Sequence, residues 1–167
     1  MEKIIKYIVE GKINIGLYDT ICEMERGRQE RKEKRGDSLT ELEQNLTRSD
    51  MVENQVSDFL DYLDINAENL KQYKEENNDF WNDKLKDDRY FCDVANEWAD
   101  SQIEIYNYTL WQESPILSEY IEEALQEFGF DKDRGLIGVF QMGQYQFYTQ
   151  IANEVLEGLR EYVENEL

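Results

Sequence analysis

The chain has no histidine, two cysteines, one proline and no long apolar run in 167 residues. Without histidine there is no Ser-His-Asp triad, no Cys-His pair and no imidazole-ligated zinc. Any catalysis would have to rest on carboxylates holding Mg²⁺ or Mn²⁺. Cys22 and Cys92 lack the neighbours of a metal or redox motif, so both read as buried thiols, reduced in a cytosolic chain. No stretch approaches the roughly 20 apolar residues a bilayer requires. The opening Met-Glu-Lys-Ile-Ile-Lys-Tyr-Ile-Val meets Glu10 too soon for a signal peptide. A soluble, cytoplasmic protein is the expectation. One Pro and nine Gly leave few helix breakers.

Aromatic side chains and acid are abundant. Eleven Tyr, seven Phe and three Trp supply a core, and each buried ring removes about 150–250 Å² from water. The net charge is −20 and is divided unevenly. Residues 1–36 hold nine Lys/Arg against seven Asp/Glu, whereas residues 37–167 hold nine against thirty-one. Like charge at this density weakens a compact body, repels nucleic acid and anionic lipid, and attracts cationic surfaces. The composition therefore divides the chain into N-terminal helices ending in a basic run (1–36) and an acidic helical domain (37–167).

Periodicity predicts an all-α protein: one compact domain of about six to eight helices, with room for a semi-independent N-terminal lobe. Ile4, Ile5, Ile8 and Val9 fit a helix that Gly11 ends, and Asn14 is placed to cap the next, with Leu17, Ile21 and Met24 inward. Ser38-Leu-Thr-Glu41 has the form of a capping box before Leu39, Leu42 and Leu46. Asp50 is expected to open a helix carrying Val52, Val56, Phe59, Leu60 and Leu63. From Asp88 to about Trp111, Phe91, Val94, Ala95, Trp98, Gln102, Ile105, Tyr106 and Thr109 share a face. Ser114-Pro115 marks a further start. A last helix from near Asp133 carries Tyr148, Ile151, Ala152, Val155, Leu159, Tyr162 and Val163 inward.

Opposite the apolar face of the 88–111 helix, Asp93, Glu97, Asp100 and Glu104 fall within a band of about 60°, spread over roughly 16 Å. Glu119, Glu122, Glu123 and Glu127 form a second acidic face. No single stripe matches the charge density of a DNA strand, one phosphate per ~3.4 Å, but two or three side by side approach it. The alternative is a solvated face of a generally acidic protein. The run Arg26, Arg28, Arg31, Lys32, Lys34 and Arg35 also has two readings: contact with phosphate or an acidic partner, or a helix end that offsets the chain's own acid. An enzyme reading rests on Glu76-x-x-Asp79 and Glu97-x-x-Asp100, which resemble the paired carboxylates that hold Mg²⁺ in all-α nucleoside triphosphate pyrophosphohydrolases. Asp79 stands where Glu is usual in that motif, and Asn77-Asn78 interrupt the helix it requires.

Trp98-Ala-Asp-Ser-Gln-Ile-Glu-Ile-Tyr106, Tyr120-Ile-Glu-Glu-Ala-Leu-Gln-Glu-Phe-Gly129 and Gln141-Met-Gly-Gln-Tyr145 resemble small acidic proteins of Gram-positive phages and mobile elements. Some of these look like anti-CRISPR inhibitors of RNA-guided nucleases. The resemblance covers about the last 70 residues and carries no catalytic signature. It implies an inhibitor in the bacterial host cytosol whose partner is a basic nucleic-acid-binding protein. With the charge pattern, the expectation is a non-enzymatic nucleic-acid mimic with no cofactor, no resident metal and no membrane partner. Direct nucleic-acid contact is expected only through the basic run, and the oligomeric state stays open. An acidic interaction or scaffold protein is the remaining alternative.

Overall fold

The computed structural model describes residues 1–76, 87–103 and 135–167, together with residues 119, 122, 123, 125 and 126. Seven helices are described: α1 (Glu2–Gly11), α2 (Ile15–Lys34), α3 (Glu41–Gln44), α4 (Arg48–Tyr62), α5 (Ala67–Glu75), α6 (Asp88–Gln102) and α7 (Gly135–Glu166). Among the described residues there is no strand, and the protein is all-α. No described helix is long and apolar enough to cross a membrane.

Short polar side chains set most helix starts. The Asn14 side chain accepts from the Leu17 backbone N–H at 2.8 Å, as the sequence predicts. Two starts differ from expectation. The capping box before α3 pairs Thr40 with Glu43, so Ser38 lies outside it. Helix α4 is capped by Thr47, and Asp50 closes that box from within the first turn. In both cases the Thr hydroxyl and the carboxylate three residues later satisfy each other's backbone donors. Helix α2 ends in a Schellman motif, with Gly36 at φ 84°. Its N–H reaches the Glu33 carbonyl at 2.9 Å and that of Asp37 reaches Lys32 at 3.1 Å. Asp64, at φ 56°, ends α4 in the same way without glycine.

Helix α7, about 48 Å long, is the spine. Helices α1, α4, α5 and α6 all pack against it, most extensively α6, and α1 and α2 also pack on α4. Ile4, Ile8, Leu17 and Ile21 share one buried cluster with Phe59, Trp98, Ile151 and Leu159. The change from basic to acidic composition at Gly36 is thus a boundary of charge, since both sides contribute to one core. Trp98 is fully buried, tilted against Phe59 at 4.8 Å between ring centroids and edge-on to Tyr148 at 5.5 Å.

Three packing expectations are corrected. Leu42 is 77% exposed, because α3 is only four residues long and buries none of them. Cys22 is buried but Cys92 is exposed, since its position on α6 turns away from the Phe91–Val94–Ala95–Trp98 face. Helix α6 stops at Gln102, where Ile103 takes an extended conformation (φ −66°, ψ 123°). The expected continuation to Trp111, with Ile105, Tyr106 and Thr109, and the Ser114-Pro115 start lie outside the described residues.

Candidate acidic interface and the basic end of helix α2

The register that buries Phe91, Val94, Ala95, Trp98 and Ala99 against α7 turns Asp93, Glu97 and Asp100 outward, and all three are exposed. None of the three has an ion-pair partner among the described residues. Glu104, the fourth member of the expected stripe, follows the end of α6 at Gln102 in sequence. Its side chain lies outside the described residues. Glu119, Glu122 and Glu123 are helical and exposed, and Glu127 lies outside the described residues.

Tyrosines border the α6 carboxylates: Tyr90 sits two turns before Glu97 on α6 itself, whereas Tyr62 and Tyr145 come from other helices and were not legible from the sequence. Burial, followed by the charge and hydrogen bond of Glu97, pushes the Tyr62 hydroxyl up. Burial and then Glu97 do the same to Tyr90. Burial and then Asp100 raise Tyr145 on α7. In each case the nearby negative charge opposes formation of a phenolate. Tyr62 is 45% exposed and stacks on Phe59. The residue after Tyr145, Gln146, donates its side-chain N–H to Glu123 at 2.9 Å. Asp100 and Glu123 therefore address consecutive residues of α7, which brings members of the two predicted acidic stretches to one part of that helix.

At the other candidate surface, the chain's own acid meets the basic run. Arg28 forms two bonds to Glu25, at 2.6 and 2.9 Å, and a third to Glu43 at 3.1 Å. Lys32 takes the other Glu43 oxygen at 2.7 Å. Arg35 lies 3.6 Å from Asp37. Lys32, the Thr40 backbone and Arg28 hold the Glu43 carboxyl down at about 2. Arg26 and Lys34 are exposed, and Arg31 is half-buried. Part of the run thus offsets local acid. Glu43 is the partner that sequence reasoning missed, although its place three residues after Thr40 was the available signal.

The carboxylate set of the enzyme reading is not assembled among the described residues. Glu76 ends α5 and accepts from Gln72, Glu97 and Asp100 lie on α6, and Asp79 is outside the described residues. Among the described residues no group of three or more His, Cys, Asp or Glu side chains is placed to hold a metal ion. Comparisons with protein-family models, curated proteins and solved structures give no match.

Proposed function

We propose that the protein is an inhibitor that offers acidic helix faces to the basic nucleic-acid channel of a host defence protein, an RNA-guided nuclease of the kind that anti-CRISPR proteins block. The observation that carries this reading is the α6 ridge: three exposed carboxylates that have no ion-pair partner among the described residues, bordered by Tyr62, Tyr90 and Tyr145. RNA-guided nucleases hold their nucleic acids in positively charged channels. Long-range charge would steer the encounter, while tyrosines beside the carboxylates would supply aromatic anchors. The fully buried Trp98 ties the ridge to α4 and α7 and presents it on a rigid element. The mechanism is competition for the channel and involves no chemical step on the nucleic acid.

The test is a DNA-cleavage assay with a panel of RNA-guided nucleases, with wild-type protein and the triple variant Asp93→Lys, Glu97→Lys, Asp100→Lys. All three positions are exposed, so the variant should keep its helical circular dichroism. Wild type should inhibit at least one nuclease in a salt-sensitive manner, and the variant should lose at least about tenfold in potency. A folded variant with full inhibition would remove α6 from the mechanism. A wild-type protein that inhibits none of the panel and captures no salt-sensitive partner from a host lysate would refute the function itself.

A further inference from the structure

Arg28 and Lys32 on α2, with Arg35 at its C-cap, occupy an arc of about 60° and a rise of about 10 Å. Carboxylates already sit on this row. One Glu43 oxygen meets Arg28 at 3.1 Å and the other meets Lys32 at 2.7 Å, while Asp37 lies 3.6 Å from Arg35. Glu25, on the same helix, grips Arg28 in a fork and fixes the plane of its guanidinium.

The covering segment is held mostly by polar contacts, and half-buried Leu46 at its end packs against the core and anchors it there. Helix α3 buries no residue, and Leu42 points to solvent at 77% exposure. Besides the two Glu43 ion pairs, the Gln29 side chain donates to the Glu43 backbone carbonyl at 3.1 Å. Gly36, at φ 84°, and the Thr47 cap bound the segment on either side. Polar contacts at a surface are individually weak and compete with water, so such a segment opens at lower free energy than the core.

We propose that residues 37–45 act as an internal pseudo-ligand, with Glu43 and Asp37 covering a basic row at the end of α2 that binds a phosphodiester backbone when they are displaced. Arginine's forked N–H groups and the lysine ammonium donate to phosphate oxygens in the geometry they offer carboxylate. A linear row of cations along a helix suits a linear polyanion. The acidic remainder of the chain keeps the affinity low and salt-sensitive, which makes the covered state the resting one. This inference goes beyond the acidic-ridge reading and does not depend on it.

The test measures fluorescence anisotropy of a labelled single-stranded oligouridylate with the full chain at low salt, for wild type, Glu43→Gln, and Glu43→Gln combined with Arg28→Ala and Lys32→Ala. Releasing Lys32, and the one Arg28 bond not made to Glu25, from this surface carboxylate should tighten binding by about three- to tenfold, and the gain should vanish in the triple variant. A second measurement needs no substitution: adding the RNA to wild type should speed cleavage after Glu41 and Glu43 by a glutamyl endopeptidase. Glu43→Gln binding no tighter than wild type, with no change in cleavage rate, overturns the proposal. Equal gains for the Glu43→Gln and triple variants overturn it too. So does a preference of Glu43→Gln for an oligoglutamate probe over the RNA, which would assign the row to acidic protein partners.

Discussion

Gly158 on α7 and Gly11 on α1 should respond in opposite directions to the same substitution. A methyl group at Gly158 would lie 3.0 Å from Ile8 Cγ1, 3.0 Å from Lys12 Cγ and 3.3 Å from Ile8 Cγ2. Ordinary contacts between such atoms lie at about 3.5–4.0 Å. Lys12 can yield only by disturbing its ion pair with Glu161. Ile8 is fully buried and β-branched, and it meets the new methyl with both branches, so rotation offers no relief. Replacing glycine by alanine inside a helix contributes about 1 kcal/mol, whereas overpacking a tight core costs about 1–3 kcal/mol. Gly158→Ala should therefore be destabilised by about 1 kcal/mol net, lowering Tm by about 2–4 °C in a domain of this size. A methyl group at Gly11 meets nothing within 4 Å, so Gly11→Ala should gain about 0.5–1 kcal/mol. Urea unfolding followed by circular dichroism measures both. A cycle with Ile8→Ala isolates the coupling, since Gly158→Ala should cost less once the Ile8 branches are removed. If Gly158→Ala stabilises as much as Gly11→Ala, the close approach of α1 and α7 at this position is wrong.

Two further predictions address charge. Lys74 donates to the Val163 carbonyl at 2.8 Å and to the Leu167 carbonyl at 2.5 Å, placing a cation at the negative end of α7. Lys74→Met should cost about 1 kcal/mol and speed hydrogen exchange in the last turn of α7, and unchanged exchange would contradict the cap. Burial pushes the Glu154 carboxyl up, against opposing bonds from Gln150 and Asn14. A raised folded-state pKa contributes stability that is complete below the ordinary carboxylate value and is lost as pH rises through the folded value. The Glu154→Gln variant should therefore lose less stability than wild type between about pH 4 and about pH 7, read as the shift in urea midpoint. A wild-type-like shift in the variant would show that Glu154 carries no such penalty.

Much of the helical core was legible in the chain. Val52, Val56, Phe59 and Leu60 on α4, and Ile151, Ala152, Val155 and Leu159 on α7, are buried where their 3–4 spacing puts them. Periodicity is reliable there because long amphipathic helices have one apolar face and a single way to hide it. It failed at Leu42, where a short helix has too few turns to commit a face to the core. It also failed at Ile103, which leaves the helical region although the apolar pattern of the sequence runs on. Of the candidate site, the outward direction of Asp93, Glu97 and Asp100 followed from the register of Phe91 and Trp98. The approach of Tyr62 and Tyr145 did not, because they come from helices distant in sequence.

Composition and spacing alone determined that this protein is helical, aromatic in its core, without histidine chemistry and strongly acidic beyond residue 36. These are properties of single residues and of local repeats, and the chain carries them whatever its fold. Only the tertiary structure decided that Glu43 lies on Arg28 and Lys32 and that Tyr62 borders Glu97. Only the tertiary structure, likewise, brought Glu123 to Gln146 beside Tyr145. A pairing between side chains depends on how helices cross, and crossing is fixed by the shapes packed around Trp98 and Gly158, which no one-dimensional pattern encodes.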